Sequence, residues 1–172
     1  GAASAGRVGV STFEKQTVEL LSGKEVEAAV FPHRLAFNLV PQVGTFEREH
    51  SSEELALKVE VARRWGSTRL SCTMISAPIF HGTMLAITAQ VERPIAADAL
   101  RAALKAVPGV KVLDAPQERI YPMPMLVSAD PAIHVGRIRC EGHQVQLLVA
   151  LDNAGRAGEA AASLALELAL KP

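Results

Sequence analysis

The chain has 172 residues, enough for one domain with a sizeable core. Lysine plus arginine equals aspartate plus glutamate at 18 each, and aromatic residues make up only 4%, so neither a basic nucleic-acid surface nor a platform for stacking bases is offered. No run of about 18 apolar residues occurs, and the start GAASAGRVGV has no basic region followed by a long apolar core, so no helical membrane span and no secretory signal is expected.

A soluble, cytoplasmic chain is the resulting expectation, with no nucleic-acid or membrane partner. Its cysteines, Cys72 and Cys140, lie in apolar stretches rather than in a spaced ligand set, and are expected to be reduced and buried.

In chain order, the glycine-rich residues 1–9 read as a turn. Apolar side chains then fall at Val10, Phe13, Leu20 and Leu21 near helical spacing, and Ser22-Gly23 supplies a stop, so residues 8–21 are expected to form an amphipathic helix. Residues 26–31 and 35–40 read as short extended pieces, the second closed by a loop from Pro41 to Gly44. Ser51 or Ser52 caps a long helix with Glu53 and Glu54 in its first turn, where the helix dipole favours carboxylates; that dipole role alone accounts for both.

Residues 70–78 and 84–91 are small, β-branched or apolar on either side of a break at His81-Gly82, which predicts an antiparallel hairpin. Pro78 cannot donate to a ladder and Gly82 permits a backbone that a side chain would forbid, so the tip is expected to be irregular, the kind of place where sites are built. A short helix over 96–106, a turn at Pro108-Gly109 and a strand over 110–113 follow. Beyond the stiff segment Tyr121-Pro122-Met123-Pro124, residues 133–140 and 145–151 form a second hairpin through a turn at 141–144, and an alanine-rich helix runs to about residue 170.

Extended pieces outnumber helices and hairpins connect several of them. The expected fold class is α+β, a single domain over residues 1–172 with a mixed, mostly antiparallel sheet and helices packed on one face. The strands are apolar on both faces, so the second face is expected to meet another surface, in a homodimer through the sheet.

The five histidines, His33, His50, His81, His134 and His143, are scattered singly, so no metal site is expected. Cys72 sits in an apolar strand with no adjacent base and reads as a packing residue. His81 stands two positions before Thr83, and residues two apart share a face of a regular strand, which makes His81 a candidate displaced base; its other reading is a partly exposed turn histidine. No G-x-G-x-x-G follows a strand.

Several of these stretches carry a family resemblance. The run CTMISAPIFHGTMLAI resembles ATCVRVPVFNGHSEAV of the aspartate-semialdehyde dehydrogenases, with Thr73, Pro78, Phe80, Gly82 and Ala86 in agreement. LAFNLVPQVG resembles IAFNVIPHIG, and EELALKVEVARRWG resembles EEWKMVNETRKILG; YPMP, VGRIR and the Asp152-Asn153 pair follow in the same order. The ordered set resembles the carboxy-terminal, substrate-binding and dimerising domain of that family, most like its USG-type homologues.

That resemblance implies a set of site positions. The family's substrate-binding arginine falls on Ser76 and its general-base histidine on Thr83, so both functional groups are lost. Glu53 keeps a substrate-holding glutamate, Ala56 lacks the accompanying lysine, and Asn153 falls where an asparagine lies near the nicotinamide. NADP or NAD is implied only together with an amino-terminal nucleotide-binding domain of the same protein, a domain on which the final helix, residues 154–172, would pack. The glycine-rich start resembles the middle of a longer motif, so the chain is expected to be part of a longer protein whose other half would hold the nucleophilic cysteine. A catalytically degenerate member is the reading the losses favour. A working dehydrogenase with an altered substrate and a non-enzymatic dimeric scaffold are the alternatives.

Overall fold

Helix α1 (Gly6–Leu21) forms where the apolar spacing places it, and its inner face carries Phe13 and an unexpected glutamine, Gln16, only 2% exposed. The computed structural model describes residues 1–66, 69–128 and 130–152, and the chain divides into two units, Gly1–Phe80 and His81–Pro172. In the first unit Ala2, Phe13, Phe31, Leu35, Ala36 and Val40 make the core, with Leu20 against it. The rings of Phe13 and Phe80 meet edge to face, centroids 4.7 Å apart.

Gln16 decides how residues 27–36 run. Its Nε2 donates to the carbonyls of Glu27 (2.7 Å) and Ala28 (3.3 Å), while its Oε1 accepts from the N–H groups of Leu35 (3.0 Å) and Ala36 (3.2 Å). A side-chain amide has two donors and two acceptor lone pairs, and here all four are used. The expected extended pieces at 26–31 and 35–40 are therefore not strands. Positive φ at Ala29 (53°) and Phe37 (55°) breaks the extension, and only Val40 pairs, through an isolated antiparallel bridge to Ser76.

A two-residue ribbon, β1 (Phe46–Glu47) with β2 (His50–Ser51), leads into α2 (Ser52–Trp65). Residues 70–78 do not form the expected hairpin strand. They are extended but bonded piecewise: Met74 N–H to Glu54, Ser76 to Val40, and the carbonyls of Ile79 and Phe80 to the N–H groups of Ala2 (2.7 Å) and Ala3 (2.9 Å). These bonds go to separate parts of the chain rather than to one neighbouring strand.

The second unit holds a four-stranded sheet in the order β3-β6-β5-β4, from β3 (Thr83–Gln90), β4 (Val110–Val112), β5 (Ile133–Glu141) and β6 (Gln144–Leu151). β3 pairs antiparallel with β6, and β5 with β6 through the expected hairpin; β4 runs parallel to β5. Helix α3 (Ala97–Lys105) packs on β4 and β5. The α+β class with a mixed, mostly antiparallel sheet is thus present, although β3 takes β6 as its neighbour. Cys72 and Cys140 are free thiols, half-buried rather than fully enclosed as expected. The expected last helix and Asn153 lie outside the described residues.

β5 carries a bulge between Gly136 and Arg139. Ile138 is turned out of the ladder: its N–H donates to Asp114 Oδ1 (3.2 Å) and its carbonyl accepts from Arg101 Nη2 (3.2 Å). Arg101 Nε is itself bonded to Asp114 Oδ2 (2.6 Å), so one ion pair satisfies both backbone groups of Ile138. Gly136 is required beside it, because a Cβ there would overlap the carbonyl oxygen of Leu113.

Gln16→Leu keeps the volume but leaves two N–H groups and two carbonyls without their partner, and is expected to destabilise the chain by about 3 kcal/mol. Urea unfolding followed by circular dichroism measures this, with Gln16→Glu retaining only the acceptor half.

Candidate functional site

The start of α2 is built by a capping box. Ser51 Oγ accepts from the N–H of Glu54 (3.4 Å), and Glu54 Oε2 accepts from the N–H of Ser51 (3.0 Å). The other carboxylate oxygen, Oε1, accepts from the N–H of Met74 at 2.8 Å, so one buried carboxylate holds both the helix start and the 70–76 stretch. The N–H groups of Met74 and Ser51 hold the Glu54 carboxyl below its ordinary value. The serine-x-x-glutamate spacing was the available signal for this role, which the sequence reading spread over both glutamates.

Glu53, the expected substrate glutamate, is exposed in the first turn of α2. The loop at 42–45 lies beside it, tied to Ser52 by the Ser52 N–H on the Thr45 carbonyl (2.8 Å) and the Thr45 N–H on Ser52 Oγ (3.2 Å). Ser76 meets the same loop, donating from Oγ to the Gln42 carbonyl at 3.0 Å. The structure therefore brings Ser76 and the first turn containing Glu53 to one loop.

In the second unit, Thr83 opens β3 opposite Leu151 and is half-buried, and His81 is exposed. Gly82 between them has φ +87°, and a Cβ there would press on Val127 and Pro124. His81 thus precedes the strand across a non-extended residue, and the alternation that would put it on the face of Thr83 does not apply.

At the same end of the sheet, sequence reading missed a cluster. His134 on β5 is 4% exposed, opposite Ala150 of β6, which in turn faces Met84 of β3. Its Nε2 lies 2.8 Å from Asp130 Oδ2, which also takes Lys111 Nζ at 2.6 Å, while Asp130 Oδ1 accepts the N–H of Ala132. His134 Nδ1 is buried without a partner among the described residues. Lys111, then the Ala132 N–H and His134, hold the Asp130 carboxyl far below the usual carboxylate range. Only the i, i+4 spacing of Asp130 and His134 was visible in the sequence, and it is not diagnostic in a loop-to-strand segment. Among the described residues, no three His, Cys, Asp or Glu side chains gather as a metal site, and no helix is long and apolar enough to cross a membrane.

The family model for the semialdehyde dehydrogenase dimerisation domain matches residues 1–155. The chain belongs to this family. It is 34% identical over 139 residues to an aspartate-semialdehyde dehydrogenase of Aquifex aeolicus, covering 78% of this chain and 41% of that protein. It is also 34% identical over 176 residues to a USG-1 protein homolog of Pseudomonas aeruginosa, covering 98% of this chain and 51% of that one. A solved structure of a probable aspartate-semialdehyde dehydrogenase from Pseudomonas aeruginosa superposes with a TM-score of 0.81 at 33% identity, over 88% of this chain and 47% of that chain. Aspartate semialdehyde dehydrogenase II of Vibrio cholerae, at 24% identity and a TM-score of 0.85, shares the fold over 91% of this chain and 48% of its own. The chain spans about half the length of the relatives it matches.

The lowered Asp130 carboxyl makes stability depend on pH with a definite sign. A depressed folded value means the contribution is complete above the ordinary carboxylate range and is lost as the pH falls below about 5 toward the folded value. Asp130→Asn is expected to lower stability at neutral pH and to flatten the acid limb, which urea midpoints measured from about pH 7 down to pH 3 resolve.

Proposed function

We propose that this chain is the carboxy-terminal dimerisation and substrate-pocket domain of an aspartate-semialdehyde dehydrogenase-like protein whose catalytic groups have degenerated. One observation carries the reading: at the position of the family's carboxylate-binding arginine stands Ser76, whose hydroxyl is committed to the Gln42 carbonyl. A hydroxyl bound to its own backbone cannot supply the bidentate, charge-assisted grip that a guanidinium gives a carboxylate. Thr83 carries no group able to take a proton near neutral pH, and Ala56 carries no cation. Glu53 remains exposed and free to meet a ligand.

In this reading residues 1–172 act as a single domain, cytoplasmic, paired as a homodimer through the sheet and joined to an amino-terminal nucleotide-binding domain. NADP or NAD enters with that domain and supplies the hydride acceptor. The described residues by themselves do not fit a dinucleotide, since Gly6 opens α1 after a 3-10 turn and not after a strand, as a phosphate-cradling turn would require. Asn153 is the residue of this chain that would approach the nicotinamide. A non-enzymatic dimeric scaffold is the second alternative.

His81 gives the working-enzyme alternative its one support, because it is exposed beside Gly82 and Thr83 where a displaced base could act. The deciding assay is phosphate-dependent NADP reduction with aspartate semialdehyde by the full-length protein. Loss of the base alone predicts a rate lower by roughly 100- to 10,000-fold than an authentic family enzyme. Introducing Ser76→Arg with Thr83→His is expected to raise it. A rate matching the authentic enzyme and abolished by His81→Ala would replace the degenerate reading with the alternative.

A further inference from the structure

A buried histidine in a strand is costly unless both ring nitrogens find partners, and on β5 only one does. His134 Nε2 meets Asp130 Oδ2 at 2.8 Å, while Nδ1 is buried with no partner among the described residues. An aliphatic side chain would fill the same place opposite Ala150 without leaving a nitrogen unpaired, so what the imidazole adds there is its bond to Asp130. Lys111 of β4 donates to the same oxygen at 2.6 Å, and the Ala132 N–H donates to the other at 2.9 Å. Asp130 is thereby pinned to β4 and β5.

What Asp130 holds in turn lies at the start of β3. Its N–H donates to the Val127 carbonyl at 3.0 Å. Val127 is fully buried and closes the 3-10 turn Pro124–Leu126, its own N–H donating to the Pro124 carbonyl at 3.2 Å. A Cβ on Gly82 would come within 3.1 Å of Val127 Cγ2 and 3.2 Å of the Pro124 oxygen, so this turn is seated directly on Gly82. The contacts run from β4 and β5 through Asp130 and Val127 to the residue before Thr83, outside the sheet ladder.

We propose that Asp130, pinned by Lys111 and His134, is a positioning residue for residues 81–83: it holds the Pro124–Val127 turn against Gly82 and so fixes where the side chains of His81 and Thr83 stand. The proposal rests on the reading that position 83 is where this family's base stands, and it names what sets that position in this chain. A glycine at φ +87° has wide conformational freedom, and the packing of Val127 and Pro124 restricts it to one course into β3. Lys111 is more than half exposed, so water screens its share of the pin, and the buried His134 bond carries the larger part.

Hydrogen–deuterium exchange of the full-length protein, read by mass spectrometry on short peptides, tests this. Asp130→Asn keeps an acceptor for the Ala132 N–H and removes the charge. It is expected to speed exchange over residues 81–85 at least about tenfold beyond the change in control peptides covering residues 33–38 and 140–146. His134→Leu, which fills the place without the bond, and Val127→Ala, which keeps the pin and removes the seat, are expected to give the same local rise. Lys111→Arg retains the cation and is expected to exchange like the wild type. Equal acceleration in all peptides marks a residue that only stabilises the fold and overturns the proposal, as does an unchanged rate over residues 81–85. Turnover does not enter this measurement. A full-length protein as active as an authentic family enzyme would remove the degenerate reading and leave the positioning result standing.

Discussion

The Glu54 carboxylate is the constraint on which the candidate site depends. It accepts one N–H from Ser51 and another from Met74, and so ties the first turn of α2 to the stretch that carries Ser76. A buried carboxylate is tolerated only when its oxygens are satisfied, and here backbone groups from two parts of the chain do that. With Met74 bonded to Glu54 and Ser76 to Val40, residues 70–78 run extended outside the four-stranded sheet. The site is therefore an assembly of loop and helix end, held by side-chain to backbone bonds, and not the tip of a hairpin.

The second unit follows the same logic with an ion pair. A bulge leaves backbone groups out of the ladder, and in β5 the N–H and C=O of Ile138 are among them, taken up by Asp114 and Arg101. Arg101 also reaches Asp98 in its own helix, so α3 is fastened to the sheet through the very residue that stabilises the bulge. Asp114 first, and then Asp98, push the Arg101 guanidinium further up from an already high value, which keeps this fastening charged. Arg137, at φ 54°, is the residue the bulge forces into left-handed backbone.

In the proposed reading the cationic clamp and the base have given way to the hydroxyls of Ser76 and Thr83. The framework around these positions is the capped helix with Glu53, the glycine before Thr83, and the bulged strand with its hairpin. Retention of fold with loss of charge at the reacting centre is what separates a scaffold from an enzyme on the same architecture.

Elements whose stabilising bonds are local can be read from the order of residues alone. Helices α1 and α3 follow from 3.6-residue apolar spacing, α2 from its Ser51 cap, and the β5–β6 hairpin from a short turn containing Gly142. The order of short motifs likewise carried the family, because each is a run of adjacent residues. The partner of β3, the parallel pairing of β4 with β5, the glutamine that folds residues 27–36, and the Asp130–His134 cluster emerge only once the chain has folded. Each of these depends on which backbone or side-chain groups remain unpaired after the local structure has formed. Residues far apart in the chain compete for them, and no period in the sequence records which one wins.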